Sequence, residues 1–169
     1  IQEKIEGDFI ETGVWRGGGA IFMQGILTVY NQTQSRKVWV ADSFEGLPQC
    51  NKELYPKDSG DWTSMNHSLA ISIEEVKENF KRYDLLGDNV IFLKGWFKDT
   101  LPVAPIEKLA ILRLDGDMYE STMDSLNNLY NKLQPGGFLI VDDYRIDSCL
   151  AAVSDFRNKN GINDEILMI

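Results

Sequence analysis

Two kinds of apolar pattern alternate along the chain, and they predict strands and helices in turn. Near-continuous apolar runs are typical of buried strands, and they predict strands at 7–13, 37–44, 89–97, 108–117, 135–144 and 162–169, the fifth of which begins with a PGG turn. Apolar residues at helical spacing predict helices at 18–32, 72–86, 120–133 and 147–161. Ser72, with Glu75 three residues later, forms a capping box, and Gly161 suits a helix C-cap.

This alternation predicts the α/β fold class, with a doubly wound, mainly parallel sheet covered by helices on both faces. In such sheets, ligands bind beyond the carboxyl ends of the strands, where the strand order reverses. Glycine-rich or acidic residues follow each of the first five predicted strands, at 11–19, Asp42, Gly95, Asp115 and 142–143. The pattern therefore predicts one ligand site at that edge of the sheet.

A long segment, 45–68, follows the second predicted strand and is rich in Pro, Gly, Ser and Asn. Loops of this length are uncommon in compact domains and are often functional, so we expect a lid. The segment contains His67, the only histidine of the sequence, which we expect to be a solvated loop residue. One histidine in a loop argues against a histidine-based zinc site and against a Ser–His–Asp triad near a strand end.

The composition indicates a globular domain and argues against some kinds of binding partner. A length of 169 residues with 43% hydrophobic residues predicts one domain, 1–169. The formal net charge of −9 argues against nucleic acid or an anionic membrane as a partner, because both require a basic face. Cys50 and Cys149 form no C-x-x-C pair, and we expect two reduced thiols in a cytoplasmic protein. The chain opens almost directly into a strand without a signal-peptide pattern and stops in "EILMI", so we expect a core fragment truncated at both ends.

Three features after the first three strands are candidates for binding a nucleoside. In "ETGVWRGGG" (11–19), glycines allow close approach of a ligand, and the following helix N-terminus favours a carboxylate or phosphate. The loop lacks G-x-G-x-x-G, so it does not match a dinucleotide fingerprint. Asp42 stands where an acidic residue holds ribose hydroxyls, and Gly95 with Trp96 could wall an adenine ring. A structural turn, a helix cap and ordinary packing are the respective alternatives.

The acidic residues after strands four and five predict a cation site. If these strands are neighbours, the ends carrying Asp115, Asp142 and Asp143 lie about 4.8 Å apart, and carboxylates that close require compensation. Arg113, two residues before Asp115, would share its face, but a divalent cation resolves the conflict better. Ligands that are all oxygen suit Mg²⁺, Ca²⁺ or Mn²⁺; helix capping is the alternative. Asp117 need not bind the metal and could accept a proton from a metal-bound hydroxyl.

Five stretches carry a resemblance that runs in order over nearly the whole chain. They are "GDFIETGVWRGG", "VWVADSFEGLP", "FLKGWFKDTLP", "LRLDGDMYEST" and "LQPGGFLIVDDY". Together they resemble the macrocin O-methyltransferase (TylF/MycF) family. The resemblance implies a class I methyltransferase (Rossmann-like) fold, S-adenosylmethionine as methyl donor and Mg²⁺. It also implies a small-molecule acceptor, namely a sugar hydroxyl on a macrolide or aminocoumarin antibiotic.

The resemblance also assigns roles to residues. The metal falls on Asp115, Asp142 and Asp143, and the general base falls on Asp117. The donor site falls on Glu11, Thr12, Gly13, Arg16 and Gly17 in the first loop, on Asp42 with Ser43, and on Gly95 with Trp96. Family members have additional N-terminal helices, which help form a homo-oligomer, and a seventh, antiparallel strand. We expect the acceptor specificity to lie largely in those parts and in the 45–68 loop.

Three other classes of protein remain open alternatives. A haloacid-dehalogenase-like phosphatase also uses Asp-x-Asp with Mg²⁺, but that motif normally closes its first strand, whereas here it closes the fourth. A glycosyltransferase with Asp-x-Asp would leave the PGG turn and "VDDY" unexplained. A non-catalytic S-adenosylmethionine-binding module would not require the full set of aspartates.

Overall fold

The computed structural model describes residues 1, 4–58 and 68–168. Its centre is a sheet of parallel strands, β1 (Asp8–Thr12), β2 (Val38–Asp42), β3 (Val90–Lys94), β4 (Leu109–Leu114) and β5 (Leu133–Val141). Their order across the sheet is β3-β2-β1-β4-β5. The chain therefore winds outward in both directions from β1, and the order reverses between β1 and β4. The predicted doubly wound parallel sheet is confirmed.

Helices connect the strands and cover both faces of the sheet. They are α1 (Gly18–Val29), α2 (Ile73–Arg82), the short α3 (Phe97–Thr100), α4 (Tyr119–Leu129) and α5 (Asp147–Asn160), with 3₁₀ turns at Leu101–Val103 and Tyr130–Lys132. Ser72 caps α2 as predicted, since its hydroxyl accepts the Glu75 N–H at 3.2 Å, and Gly161 ends α5 with φ 64° as predicted. The structure shows this half of the predicted capping box. None of the helices within the described ranges is long and apolar enough to cross a membrane.

Two apolar cores, one on each face, hold the helices against the sheet. Successive residues of β2 point to opposite faces, so Trp39 enters the core with Leu126 and Phe156 while Val40 enters the other with Phe80. All but Phe156 are at most 1% exposed. Since burying one large apolar side chain contributes about 1.5–3 kcal/mol, the two cores fix the helices against the sheet and thereby position the loops at its carboxyl edge.

The predicted sixth strand is wrong for residues 162–168, which are irregular; Ile169 lies outside the described residues. Leu167 is 75% exposed and Met168 is 58% exposed. A strand requires a neighbouring ladder of backbone hydrogen bonds as well as apolar side chains, and no strand in the described part of the chain pairs with this segment. The apolar pattern of "EILMI" met only the second of these requirements.

The PGG turn lies inside the fifth strand and not before it. Pairing with β4 shifts from Leu109 opposite Leu133 to Ile111 opposite Phe138, so extra residues bulge out of β5 between them. Gly136 has φ 80° within this bulge, a conformation that favours glycine. The shifted register places Val141 opposite Leu114, which sets the acidic residues that follow β4 and β5 side by side.

Candidate active site

A cavity of about 540 Å³ opens at the carboxyl edge of the sheet. Its lining includes five of the predicted donor residues, Gly13, Asp42, Ser43, Gly95 and Trp96. Asp115 and Asp117 line the same cavity. The strand order explains this convergence, because β1, where the order reverses, lies between β2 and β4. The sequence-based location of the site at this edge agrees with the structure.

Gly13 brings the ends of β1 and β4 into contact. It has φ 84°, and a Cβ at this position would lie 1.8 Å from the carbonyl oxygen of Asp115. On either side of it, the Asp115 N–H donates to the Thr12 carbonyl at 2.9 Å, and the Gly13 N–H donates to Ala41 at 2.9 Å. Any side chain here would separate the two halves of the cavity, so glycine is required.

Asp42 is held by backbone amides. Its Oδ2 accepts the Val14 N–H at 2.8 Å, and its Oδ1 accepts the Phe44 N–H at 2.8 Å. Burial raises the pKa of Asp42, while these hydrogen bonds oppose the rise. Each carboxylate oxygen has two lone pairs, so Asp42 retains capacity for ligand hydroxyls at the cavity wall.

Four other residues of the predicted donor loop lie outside the cavity lining. Glu11 is buried, at 1% exposure, and the Thr12 hydroxyl accepts a hydrogen bond from Ser125 at 3.1 Å. Arg16 is an exposed side chain 4.0 Å from Glu75, and Gly17, with φ 86°, precedes α1. In this structure, these residues support the loop that carries Gly13 and do not face the cavity.

Carboxylates crowd the ends of β4 and β5. One oxygen each from Asp115, Asp142 and Asp143 lies within 4.8 Å of the others. The guanidinium of Arg113 contacts Asp115 Oδ2 and Asp142 Oδ1, each at 2.7 Å. It also pairs with Glu11, which is its register partner on β1. The predicted shared face of Arg113 and Asp115 is therefore observed.

Burial and mutual repulsion raise the pKa values of Asp115, Asp117 and Asp143. Desolvation, together with repulsion from neighbouring carboxylates, raises the pKa of Asp143 to about 7 and that of Asp117 to about 6. Desolvation also raises the pKa of Asp115, against the opposing effect of Arg113. One guanidinium thus compensates several carboxylates incompletely. A converging set of oxygen ligands with excess negative charge fits a hard divalent cation such as Mg²⁺.

Asp117 adopts a left-handed backbone conformation, with φ 56°. Its N–H donates to Asp143 Oδ2 at 2.8 Å, and its carbonyl accepts the Ser148 hydroxyl at 2.9 Å. A non-glycine residue in this region carries about 1 kcal/mol or more of strain. These two hydrogen bonds hold Asp117 in that conformation, at the cavity wall beside the carboxylate cluster.

The 45–68 loop contributes to the cavity through residues up to 58; residues 59–67, and with them His67, lie outside the described residues. Leu47, Leu54 and Tyr55 line the cavity. Sequence reasoning missed Asp58, which is fully buried and accepts two N–H groups at the start of α4. It also missed Asp124, a lining residue whose pKa burial raises to about 6. No local pattern indicates either residue, because both depend on contacts formed by folding.

Comparison with known proteins finds relatives along the whole chain. The macrocin-O-methyltransferase (TylF) family matches residues 1–169. The 8-demethyl-8-(2,3-dimethoxy-alpha-L-rhamnosyl)-tetracenomycin-C 4′-O-methyltransferase of Streptomyces olivaceus is 52% identical over 98% of this chain and 64% of its own length. The mycinamicin III 3″-O-methyltransferase of Micromonospora griseorubida is 49% identical over 100% of this chain and 67% of its own. The demethyldecarbamoylnovobiocin O-methyltransferase of Streptomyces niveus is 52% identical over 100% of this chain and 65% of its own.

Solved structures agree with the family match. The O-methyltransferase NovP superposes with a TM-score of 0.95 at 51% identity, over 99% of this chain and 70% of NovP. The calicheamicin methyltransferase CalS11 superposes with a TM-score of 0.65 at 18% identity, over 90% of this chain and 63% of CalS11, which supports the fold alone. The chain thus has the predicted Rossmann-like methyltransferase fold and spans 64% of the length of the S. olivaceus relative.

Proposed function

Because the chain belongs to the macrocin-O-methyltransferase (TylF) family, we propose that it transfers a methyl group from S-adenosylmethionine to a sugar hydroxyl of a natural product. The relatives support the class of acceptor, since one is named for a rhamnosyl-tetracenomycin, one for mycinamicin III and one for a novobiocin precursor. These acceptors differ in scaffold, so the identity of this chain's own acceptor is left at the level of a glycosylated small molecule.

The observation that carries the proposal is the shared lining of one cavity. Gly13, Asp42 and Trp96, on the side suited to a nucleoside, line the same space as Asp115 and Asp117. A donor and an acceptor bound in one cavity would have their reacting atoms held together, which removes much of the entropic cost of a bimolecular step. S-adenosylmethionine, when bound, supplies a methyl group activated by its sulfonium charge.

The residues of the chain have distinct roles in this proposal. Asp42 accepts hydrogen bonds from the donor ribose, and Gly13 allows the donor to approach the backbone closely. Asp115, Asp142 and Asp143 would hold Mg²⁺, which supplies a positive charge that lowers the pKa of the acceptor hydroxyl. Asp117 takes the proton from that hydroxyl. Without a bound cation, burial raises the pKa of Asp117 to about 6, so Asp117 is mostly ionised at neutral pH and can accept a proton.

Calorimetry with the wild-type protein tests the donor. We expect binding of S-adenosylmethionine and S-adenosylhomocysteine, and no binding of NAD, each measured with and without Mg²⁺. Mass spectrometry of reactions with rhamnosylated acceptors should then show a gain of one methyl group. Absence of S-adenosylmethionine binding would contradict the proposal, and a phosphoenzyme formed on Asp115 from a phosphate ester would favour the phosphatase alternative.

A further inference from the structure

Asp58 forms a buried link between the 45–68 loop and helix α4. Its side chain is 0% exposed although it belongs to an irregular segment. Its Oδ1 accepts the Tyr119 N–H at 2.5 Å, and its Oδ2 accepts the Glu120 N–H at 3.0 Å. The residue at the N-cap position of α4, Met118, forms no side-chain capping bond. Asp58 therefore caps α4 from a distance of about sixty residues along the chain.

The helix start that Asp58 caps is continuous with Asp117. Asp117 lies two residues before Tyr119 and is fastened on its other side by Asp143 and Ser148. Its left-handed conformation requires such anchors, because the residue is strained there. Loss of the cap at Tyr119 and Glu120 would fray the first turn of α4 and release one side of Asp117.

The same aspartate is bonded to residues of the cavity wall, and we call the described residues 46–58 the wall loop. Leu47, Leu54 and Tyr55 of the wall loop line the cavity. The Cys50 thiol donates to the Asp58 carbonyl at 2.7 Å, and the Asp58 N–H donates to the Tyr55 carbonyl at 2.9 Å. The backbone of Asp58 is thus bound to the cavity wall, while its side chain is bound to α4.

We propose that Asp58 is a positioning residue that couples closure of the wall loop to the placement of Asp117. When the wall loop is seated, the Asp58 carboxylate caps α4 and fixes the residue proposed as the base. When the wall loop leaves, the cap leaves with it and Asp117 is freed. The catalytic consequence rests on the proposed function, but the coupling is a property of the fold and is measurable without turnover.

An adjacent contact provides a matched control. Lys57 pairs with Asp155, and both side chains are more than 40% exposed. Exposed pairs of this kind contribute little to stability. Lys57→Met therefore removes the pair with Asp155 and the contact of the ammonium with the Tyr119 ring, one residue away from Asp58. It leaves in place the Asp58 carboxylate that accepts the Tyr119 and Glu120 N–H groups.

Residue-resolved amide hydrogen exchange tests the coupling in wild type, Asp58→Asn and Lys57→Met. The reporters are amides that do not bond to the Asp58 side chain. They are Asp117 and Thr122 on the helix side, and Tyr55 on the loop side. We expect Asp58→Asn to accelerate exchange at all three amides by about tenfold, the scale of one lost hydrogen bond to a charged group. Lys57→Met should leave the two helix-side amides unchanged. Acceleration confined to Tyr55, or none at all, would overturn the proposal.

Two further measurements complete the test. The first uses only the wild type, in case Asp58→Asn folds poorly, and the second separates the positioning role from the proposed reaction. In wild type, exchange in dilute guanidinium should show Tyr55 and Thr122 opening with equal free energies and equal denaturant slopes; unequal values would refute the coupling. If methyl transfer occurs, Asp58→Asn should lower kcat about tenfold or more, with an unchanged Kd for S-adenosylmethionine. A kcat equal to that of wild type would contradict the positioning role, whereas lack of turnover by wild type would refute the proposed function alone.

Discussion

The two ends of the cavity compensate their carboxylates in different ways. Asp42, on the β2 side, accepts two backbone N–H groups, one at each oxygen. On the β4–β5 side, one guanidinium, that of Arg113, contacts Glu11, Asp115 and Asp142. Backbone amides are neutral dipoles built into the fold, so the first end is satisfied by the protein itself. The second end retains excess negative charge, which adds to burial in raising the pKa values of Asp115, Asp117 and Asp143.

This difference distinguishes an end that holds its carboxylate in a fixed orientation from an end whose carboxylates respond to protons and cations. A carboxylate held by amides keeps its orientation when a neutral hydroxyl binds beside it. Carboxylates that repel one another respond to protons and cations, because either relieves the repulsion. The first end is therefore suited to holding a donor, and the second to moving a proton. Four experiments test this contrast, given from the largest expected effect to the smallest.

Exchanging Asp117 and Asp115 for Asn, one at a time, should separate proton transfer from cation binding. Asp117→Asn should lower turnover by about 10²–10⁴-fold, the range for loss of a general base, with Mg²⁺ and donor binding nearly intact. Asp115→Asn should weaken Mg²⁺ binding by calorimetry, and excess Mg²⁺ should restore part of its activity. The roles are reversed if Asp117→Asn loses the cation while Asp115→Asn retains it.

Arg113→Met should destabilise the fold by about 3–5 kcal/mol, because it leaves Glu11 buried without its cation. Glu11 is 1% exposed, one of its carboxylate oxygens is buried without a hydrogen-bond partner, and its pKa is already raised to about 7 by desolvation. Urea unfolding measures the loss. Arg16→Met is the control, since its pair with Glu75 spans 4.0 Å between exposed side chains. Equal midpoints for the two variants would show that Arg113 does not stabilise Glu11.

Asp42→Ala should weaken S-adenosylmethionine binding by about 1–3 kcal/mol, the usual effect of losing hydrogen bonds to a charged acceptor. Calorimetry on folded protein provides the measurement, and Asp99→Ala, at an exposed position outside the cavity lining, provides the comparison. An unchanged dissociation constant would remove Asp42 from the donor site. Mg²⁺ binding should be unaffected, because Asp42 is not part of the cation cluster.

The smallest expected effect is a change of stability with pH in the absence of divalent cations. The pKa of Asp143 is raised to about 7 and that of Asp117 to about 6, so the folded state binds these protons more tightly than the unfolded chain. Their contribution to stability is therefore present below about pH 4 and is lost as pH rises through 6 to 7. After allowance for solvent screening, we expect the free energy of unfolding to fall by about 1 kcal/mol over this pH range. Urea midpoints should show a smaller decline in Asp143→Asn, and an identical decline would contradict the assignment.

Local patterns along the chain were sufficient to predict the sheet, the edge at which the site lies and the acidic residues there. Apolar runs and helical spacing are local properties, and parallel strands must present their carboxyl ends at one edge. Asp42, Asp115 and Asp117 were therefore predictable as neighbours of a common site. The proposed chemistry was also accessible from the sequence, because the five stretches that resemble the family consist of consecutive residues.

Which polar groups bond to one another depends on contacts between distant parts of the chain. The pairing of Glu11 with Arg113 follows from the register of β1 against β4, and the cap that Asp58 places on α4 joins distant parts of the chain. The segment 162–168 is irregular because no described strand pairs with it, although four of its seven residues are apolar. In each case, the outcome depends on a partner in space, and partners are fixed by packing rather than by the pattern of neighbouring residues.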